Sequence, residues 1–168
     1  MKKKLILAAG IMGFLYAGAQ PDSAKCISEI NTAVWKPFVK HLISGNKKSF
    51  RALHSKRITR VLIDNNLLQD YDQYFPLQDQ KDTLSINNRN ISRGFELRFD
   101  KRICNGSKAW ETGYYKGTIT EAGKEGRTYY GRFFVILEKE DGGWKIIVDA
   151  DTGKDASPEN FNRAVPIE

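Results

Sequence analysis

The chain has 168 residues, of which 40% are hydrophobic and 28% charged, and its formal net charge is +7. This is enough to bury the core of one small globular domain, and too little apolar sequence for a multi-span membrane protein. Three of the positive charges are Lys2, Lys3 and Lys4, so the basic balance gives no argument for a nucleic-acid partner.

Those lysines begin a leader. An apolar run follows from Leu5 to Ala17, and then the small residues Ala17-Gly18-Ala19 before Gln20-Pro21. A basic start, a short apolar stretch and a small-x-small ending predict a signal peptide over 1–19, cleaved near Ala19. The remaining 20–168 is expected to be one soluble, secreted or periplasmic domain, with no membrane or nucleic-acid partner. Cys26 follows Lys25, which does not suit a lipidation box. Export permits a disulfide between Cys26 and Cys104, the only two cysteines. No C-x-x-C and no Cys/His cluster occurs, so neither a metal nor a cofactor is expected.

Ile27, Ile30, Val34, Phe38 and Leu42 recur at the helical period, with Pro37 as a kink or break. Gly45-Asn46 ends that segment, and Asn46 caps a second helix from Lys47 to about His54, with Phe50 and Leu53 inward. Ile58 to Ile63 reads as a short strand closed by a turn at Asn65-Asn66. A third helical segment lies within Asp70 to Leu84, with Asp70 as its cap and Pro76 as a disturbance.

The second half alternates like an antiparallel meander. Strands are expected at Ile91–Cys104, Lys108–Thr120, Arg127–Lys139 and Trp144–Asp151, with an irregular tail from about 152. The turns between them are Asn105-Gly106, Glu121 to Gly126 and Asp141-Gly142-Gly143. Helices first and strands after means α+β, with the N-terminal helices packed on a curved antiparallel sheet.

A two-residue Asn-Gly loop would pair Cys104 with Ser107. It would then set Phe99 opposite Thr112, Leu97 opposite Tyr114 and Lys101 opposite Trp110. Carried through the sheet, this places Phe133, Val135, Leu137, Trp144, Ile146 and Val148 on the inner face. Glu96, Arg98, Asp100, Glu111, Tyr115, Arg132, Phe134, Ile136, Ile147, Asp149 and Asp151 fall on the outer face. A one-residue slip would exchange the two sets.

Ala109-Trp110-Glu111-Thr112-Gly113-Tyr114-Tyr115 resembles the strand motif of the SnoaL-like and DUF4440 families of the NTF2-like superfamily. Gly131-Arg132-Phe133 and Gly142-Gly143-Trp144-Lys145-Ile146, leading to Asp149, resemble their later strands and closing motif, and Trp35 to His54 their first two helices. The resemblance covers about Cys26 to Asp151. It implies a cystatin-like cone with a pocket between helices and sheet, and homodimers packed through their sheets. Members include ketosteroid isomerases, polyketide cyclases and dehydratases, and the catalytic ones place an Asp, often with a His, inside the cone. This chain departs from that pattern. Its only histidines, His41 and His54, fall on the helical segments, and Asn46 stands where related sequences often carry Asp.

The expected pocket residues are Trp35, Phe38, Tyr71 and Phe75 from the helices and Trp110, Thr112, Tyr114 and Phe133 from the sheet. Such a lining suits a small hydrophobic or aromatic molecule. Each of these residues also fits simple core packing. Catalytic candidates are Glu111, Asp149 and His41, the last with Asp64 as its nearest proton partner. His54 is read as the end of helix two, where a cation favours the helix dipole. If Glu111, Arg132, Asp149 and Asp151 lie outward they are surface pairs of about 0–1 kcal/mol each; turned inward, a buried carboxylate becomes a base. The loop Gly123-Lys124-Glu125-Gly126 lacks a phosphate-cradling pattern and joins two strands. Three functions remain open: a small-molecule binder, an enzyme of the isomerase, dehydratase or cyclase kind, and a homodimeric protein-interaction module.

Overall fold

A computed structural model describes residues 23–76 and 91–168. The expected leader over 1–19, and the part of the third helical segment from 77 to Leu84, lie outside the described residues.

The first helical stretch combines three pieces: α1 (Ser23–Ile30), a π turn (Asn31–Trp35) and α2 (Lys36–Ser44). The widened turn meets the expectation of a break at Pro37. Proline has no amide to give to a carbonyl four residues back. The Lys36 amide donates instead to the Asn31 carbonyl, five residues back, and Pro37 enters at the first turn of α2. Gly45 ends α2 with φ of 65°. Asn46 caps α3 (Lys47–Arg51), its side-chain oxygen accepting from the Ser49 amide at 3.1 Å.

The helix expected to reach His54 stops at Arg51, and His54 opens β1 (His54–Leu62). A 3-10 turn (Ile63–Asn65) leads to β2 (Leu67–Gln69). The next helix, α4, occupies 71–76. Asp70 and Gln73 cap it reciprocally: the Gln73 amide donates to Asp70 Oδ1 at 2.8 Å and the Asp70 amide to Gln73 Oε1 at 3.0 Å.

The meander is β3 (Ile91–Cys104), β4 (Lys108–Glu121), β5 (Arg127–Glu140) and β6 (Gly143–Thr152). The tail is not irregular. Ser157 caps α5 (Pro158–Arg163), and β7 (Val165–Pro166) follows. Ser157-Pro158 is itself a helix-start signal, a capping hydroxyl before proline at the first helical position. The sheet order is β2-β1-β6-β5-β4-β3-β7, and β1 runs parallel to β6 while every other pairing is antiparallel.

The register differs from the expected one. Asn105-Gly106 does not make a two-residue loop: Cys104 pairs with Ala109. Asn105 Oδ1 accepts from the Ser107 and Lys108 amides at 3.1 and 2.8 Å, closing a longer turn. A bulge at Asp100 then shifts β3 by one, so Phe99 faces Gly113, Leu97 faces Tyr115 and Lys101 faces Thr112. A second bulge at Ile147 shifts β6. The inner face therefore carries Glu111, Gly113 and Tyr115 from β4, and Trp144, Ile146, Asp149 and Asp151 from β6. Trp110, Thr112 and Tyr114 turn outward, as does Val148.

Helices cover the inner face. Ile30, Val34 and Trp35 pack on Phe99, Phe133, Val135, Leu137 and Ile146. Burying each of these large side chains contributes about 1.5–3 kcal/mol. Cys26 and Cys104 are joined in a disulfide with Cα atoms 6.3 Å apart, tying α1 to the end of β3 across 78 residues of sequence. A closure of that length stabilises by about 4–5 kcal/mol in chain-entropy terms. On the opposite face, Phe161 of α5 and Ala164 just after it pack against Tyr114.

Candidate functional site

Between the helices and the sheet lies a cavity of about 390 Å³. Trp35, Phe38, Leu42 and Phe50 form its helical wall. Leu62, Phe95, Leu97, Tyr115, Tyr129, Phe133, Val135 and Ile146 form its sheet wall. Glycines shape this wall. A Cβ at Gly117 would overlap the Tyr129 ring, and one at Gly131 would overlap the Tyr115 ring. Each tyrosine thus lies flat over the glycine of the neighbouring strand and leaves the cavity open above it.

One side of the cavity is polar. Arg60 projects from β1 beside Asp149 and Asp151 of β6. Its Nη1 donates to Asp149 Oδ1 at 3.1 Å and its Nη2 to Asp151 Oδ2 at 2.7 Å. The Tyr74 hydroxyl reaches Asp149 Oδ2 at 3.5 Å and the Tyr115 hydroxyl reaches Asp151 Oδ2 at 3.4 Å. Burial works against the Arg60 charge, but Asp149 and Asp151 outweigh it and hold the guanidinium firmly protonated. Burial raises both phenols above the ordinary tyrosine value, and the neighbouring carboxylates add to that, so both stay neutral donors.

Behind Tyr74 sits His54, 4% exposed and ringed by Phe38, Phe50, Tyr74 and Phe75. It is not a helix-end cation. Its Nδ1 lies 3.0 Å from the Phe50 carbonyl oxygen, and burial pushes its pKa down to about 4, so the ring is neutral near pH 7.

Glu111 is inward too, but sealed. It is 0% exposed and is absent from the cavity wall. Arg102 Nη2 lies 2.8 Å from Glu111 Oε1, and the Trp35 indole N–H donates to Oε2 at 2.5 Å. Burial raises the Glu111 pKa against the pull of Arg102 and Trp35. Its structural effect is to orient Trp35, whose ring faces the cavity.

Of the residues singled out in the sequence as pocket or charged-cluster candidates, Trp35, Phe38, Phe133, Asp149 and Asp151 meet at the cavity. Phe75 is core and Tyr71 packs on it at 4.6 Å between ring centres. Trp110, Thr112 and Tyr114 lie on the other face: Trp110 is 37% exposed, Thr112 bonds Asp100, and Tyr114 packs on Phe161. Arg132 is outward as expected, 3.4 Å from Asp100. His41 lies on α2 away from the cavity wall. Asp64, its expected partner, accepts from Thr152 Oγ1 and the Gly153 amide, both at 2.6 Å. Sequence reasoning missed Arg60, Gln69, Tyr74 and the inward turn of Tyr115. Arg60 had a signal: it shares strand parity with the apolar Ile58 and Leu62.

No family model matches the chain, and no curated protein sequence does. Solved structures resemble it in shape. A NTF-2 like protein of unknown function from Shewanella oneidensis MR-1 is 14% identical, with a TM-score of 0.56 over 76% of this chain and 97% of its own. A Streptomyces avermitilis protein provisionally assigned as a dehydratase of the NTF2-like family is 10% identical, with a TM-score of 0.60 over 77% and 96%. ActVI-ORFA from Streptomyces coelicolor is 12% identical, with a TM-score of 0.59 over 74% and 94%. At these identities the likeness shows the fold: an α+β NTF2-like cone, with helices packed on a curved sheet.

Proposed function

We propose that the protein binds a small apolar or aromatic molecule in the cone cavity, as an exported member of the SnoaL-like and DUF4440 branch of the superfamily. The observation that carries this reading is the open cavity of about 390 Å³, walled by aromatic and aliphatic side chains with a polar strip. Pockets of this size and lining suit drug-sized ligands, with a few polar groups to fix orientation. The leader-like sequence of residues 1–19 supports export, as does the disulfide, a bond favoured in oxidising compartments.

Calorimetric titration with 1-naphthylmethanol, a neutral two-ring probe, tests the cavity. Saturable binding that is lost in Leu62→Trp, which fills the cavity from its wall, supports the reading. Absence of binding of this probe and of its amine and carboxylate analogues by the unaltered protein would remove it.

A second reading is favoured by one observation: Asp149 and Asp151 project into the cavity beside two phenols. An enzyme of the isomerase, dehydratase or cyclase kind would use such an inward carboxylate for proton transfer, and Asp149→Asn or Asp151→Asn would abolish its turnover. Fold likeness alone selects no reaction. For oligomeric state, Ile103, Trp110, Ile136 and Val148 align across four strands of the outer face. That apolar row supports a homodimer through the sheets, to be read by sedimentation equilibrium.

A further inference from the structure

We infer that the cavity selects a cationic ligand: a protonated amine on an apolar body of one or two rings. This rests on the proposed small-molecule binding and adds the charge of the ligand to it.

Among the described residues, the polar wall holds two carboxylates, Asp149 and Asp151, and one guanidinium, Arg60. The wall therefore has one negative charge to spare. The cation on this wall is already turned to those carboxylates. Arg60 spends Nη1 on Asp149 at 3.1 Å and Nη2 on Asp151 at 2.7 Å. The Tyr74 hydroxyl points at Asp149 Oδ2 at 3.5 Å, and the Tyr115 hydroxyl at Asp151 Oδ2, the oxygen that Arg60 Nη2 also holds, at 3.4 Å. The two carboxylates keep acceptor capacity, since each carboxylate oxygen can take more than one hydrogen bond.

The three ligand charges therefore fare differently. An anion would meet surplus negative charge beside a guanidinium already neutralised by two aspartates. A neutral molecule would leave the extra charge uncompensated in a cavity whose other walls are apolar, where bare charge is costly. An ammonium group supplies both the missing charge and the missing donors. The rings add to the preference. Phe95 and Tyr115 stack 24° from parallel with centres 5.4 Å apart beside the carboxylates, and aromatic faces attract cations. A bare divalent ion fits less well. It wants six or more oxygen ligands, and no three His, Cys, Asp or Glu side chains gather among the described residues.

The test is a charge series on one scaffold, titrated calorimetrically at pH 7 into the disulfide-bonded protein: 1-naphthylmethylamine, 1-naphthylmethanol and 1-naphthoate. The amine should bind at least about ten-fold tighter than the alcohol, and the carboxylate weakest. Asp149→Asn should bring amine and alcohol to within about three-fold of each other. The double change Asp149→Asn with Asp151→Asn leaves Arg60 alone and should reverse the order, making the carboxylate the tightest. Retained alcohol binding in both variants shows that the cavity is still formed. Equal binding of amine and alcohol, or a preference for the carboxylate in the unaltered protein, would overturn the inference and leave the binding reading standing. Failure of all three probes to bind would overturn both.

Discussion

Two arginine–carboxylate clusters lie on one row across the inner face of the sheet. Arg102, Glu111, Val135, Asp149, Arg60 and Gln69 are successive cross-strand partners from β3 to β2. Val135 separates the clusters. On one side Glu111 is closed off by Trp35 and Arg102, near the disulfide end of β3. On the other side Asp149 and Asp151 share Arg60 and face the cavity. The chemistry is nearly the same and the setting is not. A helix covers the first pair and an opening lies over the second, so the first can act only through packing, whereas the second is free to meet a ligand. A charge turned inward is therefore no sign of a site until its cover is known.

Glu111→Ala should give the largest effect. It leaves Arg102 without its hydrogen-bonded carboxylate and Trp35 without its acceptor, and should cost about 3–5 kcal/mol in urea unfolding. Adding Arg102→Met should restore much of that loss. If Glu111→Ala proved nearly neutral, the sealed cluster would not be structural.

His54, beside the open cluster, should give the next largest effect. Its folded pKa of about 4 lies below its ordinary 6.5. Between those values the unfolded chain binds more protons, so stability rises with pH. This contribution is fully present above pH 6.5 and is lost as pH falls toward 4, about 3 kcal/mol in all. Unfolding free energies across that window should lose this slope in His54→Leu. An unchanged slope would mean that the ring is not buried in neutral form.

Asp149→Asn should cost only about 1–2 kcal/mol, since Arg60 keeps Asp151 and the position borders open space. A cost equal to that of Glu111→Ala would erase the distinction between the clusters. Smallest of all, Trp110→Thr on the outer face should change monomer stability by no more than about 0.5 kcal/mol. Any effect of it on sedimentation would locate the dimer contact.

Much of the architecture was legible in the chain. The strand limits in the second half came within a residue of those observed, because alternation and glycine or asparagine turns are local signals. Phe38 was legible as an inward residue from the helical period and Phe133 from the parity of β5. The faces of Glu111, Asp149 and Asp151 were not. The Asn105 turn is two residues longer than the pairing assumed, and the bulges at Asp100 and Ile147 each insert one residue. Side chains alternate with a period of two, so each single insertion exchanges the faces beyond it. The partners of Arg60 were also hidden, because they lie 89 and 91 residues away.

The sequence by itself determined the α+β class, the first helical stretch and the limits of the four long strands, since these rest on periodicity and backbone preference within a few residues. Only the tertiary structure decided which carboxylates are sealed and which face a cavity. That choice depends on strand register, on two bulges, on the parallel pairing of β1 with β6 and on where Trp35 comes to rest. Each of these is an energy shared between distant segments, and no local stretch of the chain carries it.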